Sequence, residues 1–333
     1  MRETATREGH HIFINELRRL AQRSGESRVS ALVDDLHGPL RVAVRGRDGV
    51  GRATVATALG RAGLTVTGGA DGEIDVVVVA EAMKPEDRAM SVASRSTLVV
   101  LNKADLAGFG AGGPIAVAER RAAELHARTG LPTVPMVGLL AVAMLDEELV
   151  EALRVLTAEP GDLTTTDGFL SAQHSLARHL RSRLLDTLDL FGIAHAVLAL
   201  GQGMAVPALQ ATLRRLSQVD RVTAQLTNLG AQVRYQRMCS ALVSLRAMAA
   251  AGVPAVAEFL AGDDAVLASM AAAVDVVAAA GLTVDDGDDP SAHLRRAVHW
   301  HRYSRGPVNR LHRDCGVDIC RGSLRLARRA AAL

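Results

Sequence analysis

Between Leu40 and Gly138 short valine-rich runs recur five times, as "LRVAVRG", "LTVTGG", "IDVVVVA", "TLVVLN" and "LPTVPMVG". Helical spacing fills most of the intervals, in "ATVATALGRAG", "KPEDRAMSVAS" and "PIAVAERRAAELHART". Strands that alternate with helices pair in parallel, because a parallel partner is reached only by a crossover long enough to hold a helix. The expected fold class is therefore α/β plus α, with a doubly wound, mainly parallel sheet. An unbroken apolar run such as "IDVVVV" fits a strand covered on both faces. Ligands of such a sheet bind beyond the carboxyl ends of its strands, where the strand order reverses. Aromatic residues make up only 2% of the chain, which argues further against an all-β sandwich.

Elsewhere the chain carries only helical periodicity. Ile12, Ile14, Leu17 and Leu20, then Val29, Leu32, Val33 and Leu36, recur at three-to-four spacing and predict one or two leading helices. After "DEELVEALRVLTAE", the stretch "PGDLTTTDG" from Pro160 to Gly168 reads as a boundary, and helices are expected over 169–189, 191–216, 218–250, 253–281 and 291–332. The division expected is 1–37, helices packing on the helical domain; 38–158, the sheet domain; and 159–333, an α-helical, stalk-like domain.

Composition narrows the setting. Net charge is only +2, and Lys84 and Lys103 are the only lysines. Cys239, Cys315 and Cys320 are an odd, scattered set, and the N-terminal stretch has no long apolar run before a small-residue cleavage site, so a cytoplasmic location is expected. The run from Leu190, "LFGIAHAVLALGQGMAVPAL", is broken by His195, Gln202, glycines and Pro207 and reads as a buried helix. Cys315 and Cys320, even with His299, His301 and His312, lack metal-site spacing, so no metal site is expected. His174 and His179 read as helix-surface residues.

Two stretches carry chemistry, and both end predicted strands. "GRDGVGRAT" places Gly46 and Gly51 at the spacing of a phosphate loop, in which glycines aim backbone N–H groups at phosphate oxygens, a lysine reaches the terminal phosphates and a hydroxyl binds magnesium. Here Arg52 stands at the lysine position, Ala53 at the hydroxyl position, and Thr54 follows one place late. Asp48 and Gly49 lie between the two key glycines. Downstream, "LVVLNKADL" holds Asn102, Lys103 and Asp105 as an NKxD element. An ionised aspartate there accepts from the N1 and N2 donors of guanine, which adenine does not offer, while the lysine stem packs along the base.

With "GLPTVPMVGLLA" and "LLDTLDLFGIAHAVLAL", these stretches resemble the actinobacterial dynamin-like GTPases, the isoniazid-inducible group among them. The resemblance implies a P-loop GTPase-like domain over 38–158 with a helical stalk. It also implies guanine nucleotide, GTP or GDP, at Gly46 to Thr54 and at Asn102 to Asp105, with a base-flanking loop at Val137 and Gly138. Further implications are homo-oligomers or hetero-oligomers with a dynamin-like paralogue, and an anionic membrane surface at the inner face as a partner.

The departures matter as much. Twenty residues separate Thr54 from Asp75, and no DxxG turn occurs between Thr54 and Asn102, so the switch elements that read the γ-phosphate have no room. Without them, the lysine and the metal hydroxyl, magnesium loses its place and turnover is expected to be lost. A pseudo-GTPase is preferred over a slow GTPase. A third reading, a membrane-surface structural protein, draws on the ten arginines between Arg295 and Arg329, opposed by Asp314 and Asp318. Nucleic acid is not expected, since few aromatics are present to stack on bases.

Overall fold

The computed structural model describes residues 8–68, 71–90, 95–108 and 110–331. It is a mixed α/β protein, mostly helical, with one five-stranded sheet. The strands are β1 (Arg41–Arg45), β2 (Thr65–Thr67), β3 (Ile74–Val79), β4 (Ser96–Leu101) and β5 (Thr133–Pro135). Their order is β2-β1-β3-β4-β5, with every neighbouring pair parallel. From β1 the chain steps to β2 on one side and then returns past β1 to β3, so the order reverses at β1 and β3. The loop after β1 therefore opens at the switch point of the sheet.

The strands coincide with the five valine-rich runs, though shorter. Every residue of β3 is buried, as a strand covered on both faces requires. "LPTVPMVG" is strand only over Thr133–Pro135, because Val137 already caps the short helix α6 (Gly138–Val142). The remaining helices are α1 (Glu8–Ser24), α2 (Ser27–His37), α3 (Arg52–Arg61), α4 (Pro85–Ala89), α5 (Gly113–Thr129), α7 (Glu147–Ala158), α8 (Thr166–Ser171), α9 (Arg178–Gly201), α10 (Val206–Ser217), α11 (Val219–Ala250), α12 (Pro254–Ala261), α13 (Asp263–Ala279), α14 (Pro290–Ser304) and α15 (Arg310–Ala330). The helix expected over "KPEDRAMSVAS" is described as far as α4, and residues 91–94 lie outside the described residues.

Local chemistry sets many of the boundaries. The Asp146 carboxylate accepts from Leu149 N at the start of α7, Asp289 from Ala292 N at α14, and Asn309 from His312 N at α15. The link from β2 to β3 is tight enough that a Cβ at Gly72 would sit 2.7 Å from the Ala43 amide nitrogen, so the chain passes against the β1 backbone there.

The division of the chain differs from the expected one. One compact unit joins residues 1–39 to 227–333, and the other spans 40–226, so the boundary falls inside α11 and not at 158/159. Helices α8 to α10 belong with the sheet. Leu184 and Leu188 of α9, with Leu209 of α10, share a core with Val77, Leu101, Leu153 and Leu156. Helical periodicity shows which face of these helices is apolar; it does not show which core that face joins. α9 is long and apolar enough to span a membrane, yet Leu184, Leu188, Ile193 and Ala196 are core residues of the sheet unit. In the other unit Phe13, Leu17, Tyr235, Val276, Trp300 and Ile319 form a separate core.

Candidate functional site

The candidate site is built at the carboxyl ends of β1, β4 and β5. β1 runs into the loop Gly46–Gly51, which turns directly into α3. Gly46 is buried against the sheet, where a Cβ would lie 2.8 Å from the Val78 carbonyl oxygen and 2.9 Å from Val50 Cγ2. Gly51 caps α3 in the left-handed region, at φ 84°, and faces the Asn102 amide. Both positions need glycine, one for space and the other for conformation and contact. Asp48 and Gly49 lie exposed at the tip. Replacing Gly46 with alanine forces a carbon against a backbone oxygen, and an expected loss of about 2–3 kcal/mol would appear as a lower denaturation midpoint.

Asn102, which ends β4, is 3% exposed and braces the site. Its Nδ2 donates to Val50 O at 2.8 Å, its Oδ1 accepts from Gly138 N at 2.9 Å, and its own amide donates to Val79 O at 2.7 Å. One side chain thus ties together the loops after β1, β4 and β5. Gly138 opens α6 at a position where a Cβ would press on Asn102 Oδ1 at 2.8 Å, and Val137 is buried beside it. The resemblance implies a base-flanking loop at Val137 and Gly138; in the structure Gly138 is part of the brace.

Lys103 stands exposed in the left-handed region, at φ 57°, and begins the 3-10 turn Ala104–Leu106 that holds Asp105. Asp105 is half-buried. Burial pushes its carboxyl above the ordinary aspartate range, and the neighbouring charge of Asp189 adds to the rise against the opposing effects of its own backbone amide and Lys103. Asp189 sits on α9 at φ 53° and ψ 176°, a break inside the helix, where its carboxylate accepts from Leu190 N at 2.7 Å. Sequence reasoning missed this residue. The only available signal was a pair of acids, Asp186 and Asp189, in the mostly apolar stretch "LLDTLDLFGIAHA".

Two further pairs fix the loop and were also missed. Arg47 Nε donates to Asp87 Oδ1 at 2.8 Å, and Asp87, fully buried, also accepts from Lys84 N at 2.9 Å. The bond from Asp87 holds the Arg47 guanidinium above its ordinary value. Arg45 Nε lies 3.0 Å from Oδ1 of the buried Asp75, and Arg95 approaches the same oxygen at 3.7 Å. A carboxylate inside a parallel sheet is tolerated because guanidiniums meet it there.

The loop and first turn of α3 present donors without acceptors. Among the described residues, no group accepts from the amides of Gly49 to Thr54. Gly51 provides no side-chain cap, and the first turn of α3 has no acid. Arg52, exposed at the first helical position, makes no ion pair among the described residues although a cation there opposes the helix dipole. Beside this turn lies a cavity of about 540 Å³ lined by Arg45, Gly46, Arg52, Ala53, Thr67 and Met90, among others. Its wall does not suit magnesium, since Ala53 supplies a methyl where a loop hydroxyl is needed. Among the described residues no group of three or more His, Cys, Asp or Glu is placed to hold a metal.

The open amides of the loop and of the first turn of α3 can therefore receive an anion, and the half-buried Asp105 lies on the turn that follows Asn102. No protein-family model, curated protein or solved structure matched this chain, so that reading stands on the residues themselves.

Proposed function

We propose that this chain is a dynamin-like G-domain protein that has kept a P-loop GTPase-like site for guanine nucleotide and lost turnover, acting as a binding and assembly module. The observation that carries the reading is the Asn102 brace, which brings a phosphate-type loop, the Lys103–Asp105 turn and the Val137–Gly138 turn to one end of the sheet. A free amide loop at a helix N-terminus suits phosphates, and Asp105 suits the N1 and N2 donors of guanine. The strand order supports the same reading, because β2 is only three residues long and leads almost at once to β3, leaving no span for switch segments.

Calorimetric titration with GTP, GDP and ATP, alongside a multiple-turnover phosphate-release assay with magnesium, tests this. Guanine nucleotides should bind in preference to ATP, and phosphate release should stay at background. Sustained magnesium-dependent GTP hydrolysis would replace the pseudo-GTPase with the slow GTPase. Loss of discrimination between GTP and ATP would remove the guanine reading.

The membrane-surface alternative draws less support, since much of the terminal arginine charge is engaged internally. Arg325, Arg328 and Arg329 approach Asp263 at 3.1, 3.6 and 3.3 Å. Arg296 is buried, with its guanidinium on the carbonyls of Asp285 and Gly287 and on Ser323 Oγ. The buried Arg296 is withdrawn from headgroups, and Asp263 offsets one charge of the three around it.

A further inference from the structure

We propose that the cavity beside the first turn of α3 receives the terminal phosphates of its ligand without a divalent metal, with Arg45 and Arg52 supplying the positive charge that magnesium gives in a phosphate-loop enzyme. The proposal deepens the nucleotide reading and rests on it for the base; the anion pocket itself is tested separately.

Three observations converge on it. The cavity, of about 540 Å³, is bounded by the end of β1, the start of α3 and the end of β2, so it adjoins the open amides of the loop. Its charged lining is cationic: Arg45 and Arg52 are both on the wall, and among the described residues no acid is. Thr67, at the end of β2, has a buried hydroxyl with no hydrogen-bond partner among the described residues. Thr67 lines the same cavity, and a phosphate oxygen there would satisfy that donor.

Charge bookkeeping explains why metal is dispensable. A polyphosphate needs its negative charge offset near the terminal oxygens, and magnesium requires an oxygen from the loop to be held in place. Ala53 offers none. Guanidinium groups supply fixed charge and several donors in one plane, and they need no metal ligand. Arg45 is pre-positioned by Asp75, at 3.0 Å, which limits the side-chain entropy lost on binding. Arg52, exposed, makes no ion pair among the described residues.

Inorganic pyrophosphate, titrated into the full chain by calorimetry in excess EDTA, isolates the pocket from base recognition. Pyrophosphate is expected to bind, with Arg52→Gln weakening it by about tenfold or more and Thr67→Val weakening it to a lesser degree. Arg52 is exposed and the Thr67 hydroxyl makes no hydrogen bond among the described residues, so both variants should keep the wild-type denaturation midpoint. Absence of pyrophosphate binding in EDTA overturns the proposal, as does binding that Arg52→Gln leaves unchanged. Binding that appears only on adding magnesium overturns it as well. A parallel GTP titration separates the two readings. If pyrophosphate binds and GTP binds no better than ATP, the anion pocket stands and the guanine reading fails. If GTP is preferred over ATP but gains about tenfold or more from magnesium, the guanine reading stands and the metal-free pocket fails.

Discussion

Asn102→Ala is expected to lower the stability of the sheet unit by about 3 kcal/mol, because it leaves Val50 O and Gly138 N buried without partners. At about 2–4 °C per kcal/mol for a unit of this size, the denaturation midpoint should fall by roughly 10 °C. Ligand affinity should fall further than stability alone explains, since the loop after β1 would lose the contact that holds Val50 and Gly51 in place. Asn102→Asp is the informative partner. It keeps the volume and the acceptor for Gly138 N, but it sets a carboxylate oxygen against Val50 O in place of the donor. A differential scan and a GTP titration on the three proteins check this. Asn102→Ala that melts with wild type would remove the brace from the account.

Asp105→Asn should change base preference and stability in opposite senses. Guanine offers two donors where the substituted amide has one acceptor and one donor, so GTP affinity should drop by about a hundredfold while xanthosine triphosphate gains. Because burial and Asp189 raise the folded-state pKa of Asp105, its charge opposes folding at neutral pH. The stability linked to this group is fully present below the unfolded aspartate pKa and is lost as pH rises through the raised folded value. Removing the charge should therefore raise the midpoint near pH 7. In the wild type, acidification through that same window protonates Asp105 and should weaken guanine binding while leaving pyrophosphate binding less affected. A GTP affinity that is flat from neutral pH down to the ordinary aspartate range would exclude Asp105 from the base contact.

Much of this arrangement is legible in the sequence because it is local. The valine runs mark the five strands, and most clearly β3 and β4, which are buried almost throughout and so need apolar residues on both faces. Gly46 and Gly51 lie where the chain leaves a strand for a helix, and Asn102 to Asp105 lie where another strand ends. Helix starts at Asp146, Asp289 and Asn309 are marked by capping residues whose bonds reach only three residues ahead. The boundary at 226/227 was not legible in this way. α9 and α10 carry an apolar face that suits any core, and the sequence around residue 227 has no proline or glycine-rich stretch to mark a boundary.

By itself the sequence determined the strands, the glycine loop, the turn from Asn102 to Asp105 and the short interval between Thr54 and Asp75, all properties of residues close together in the chain. The tertiary structure alone decided that Asn102 joins three loops and that Asp75 and Asp87, both fully buried, fix Arg45 and Arg47. It also decided that a break in α9 brings the charge of Asp189 to bear on Asp105. Those partners lie about thirty to eighty positions apart, and a charge or amide acquires its role only when folding removes it from water and leaves a single group to meet it.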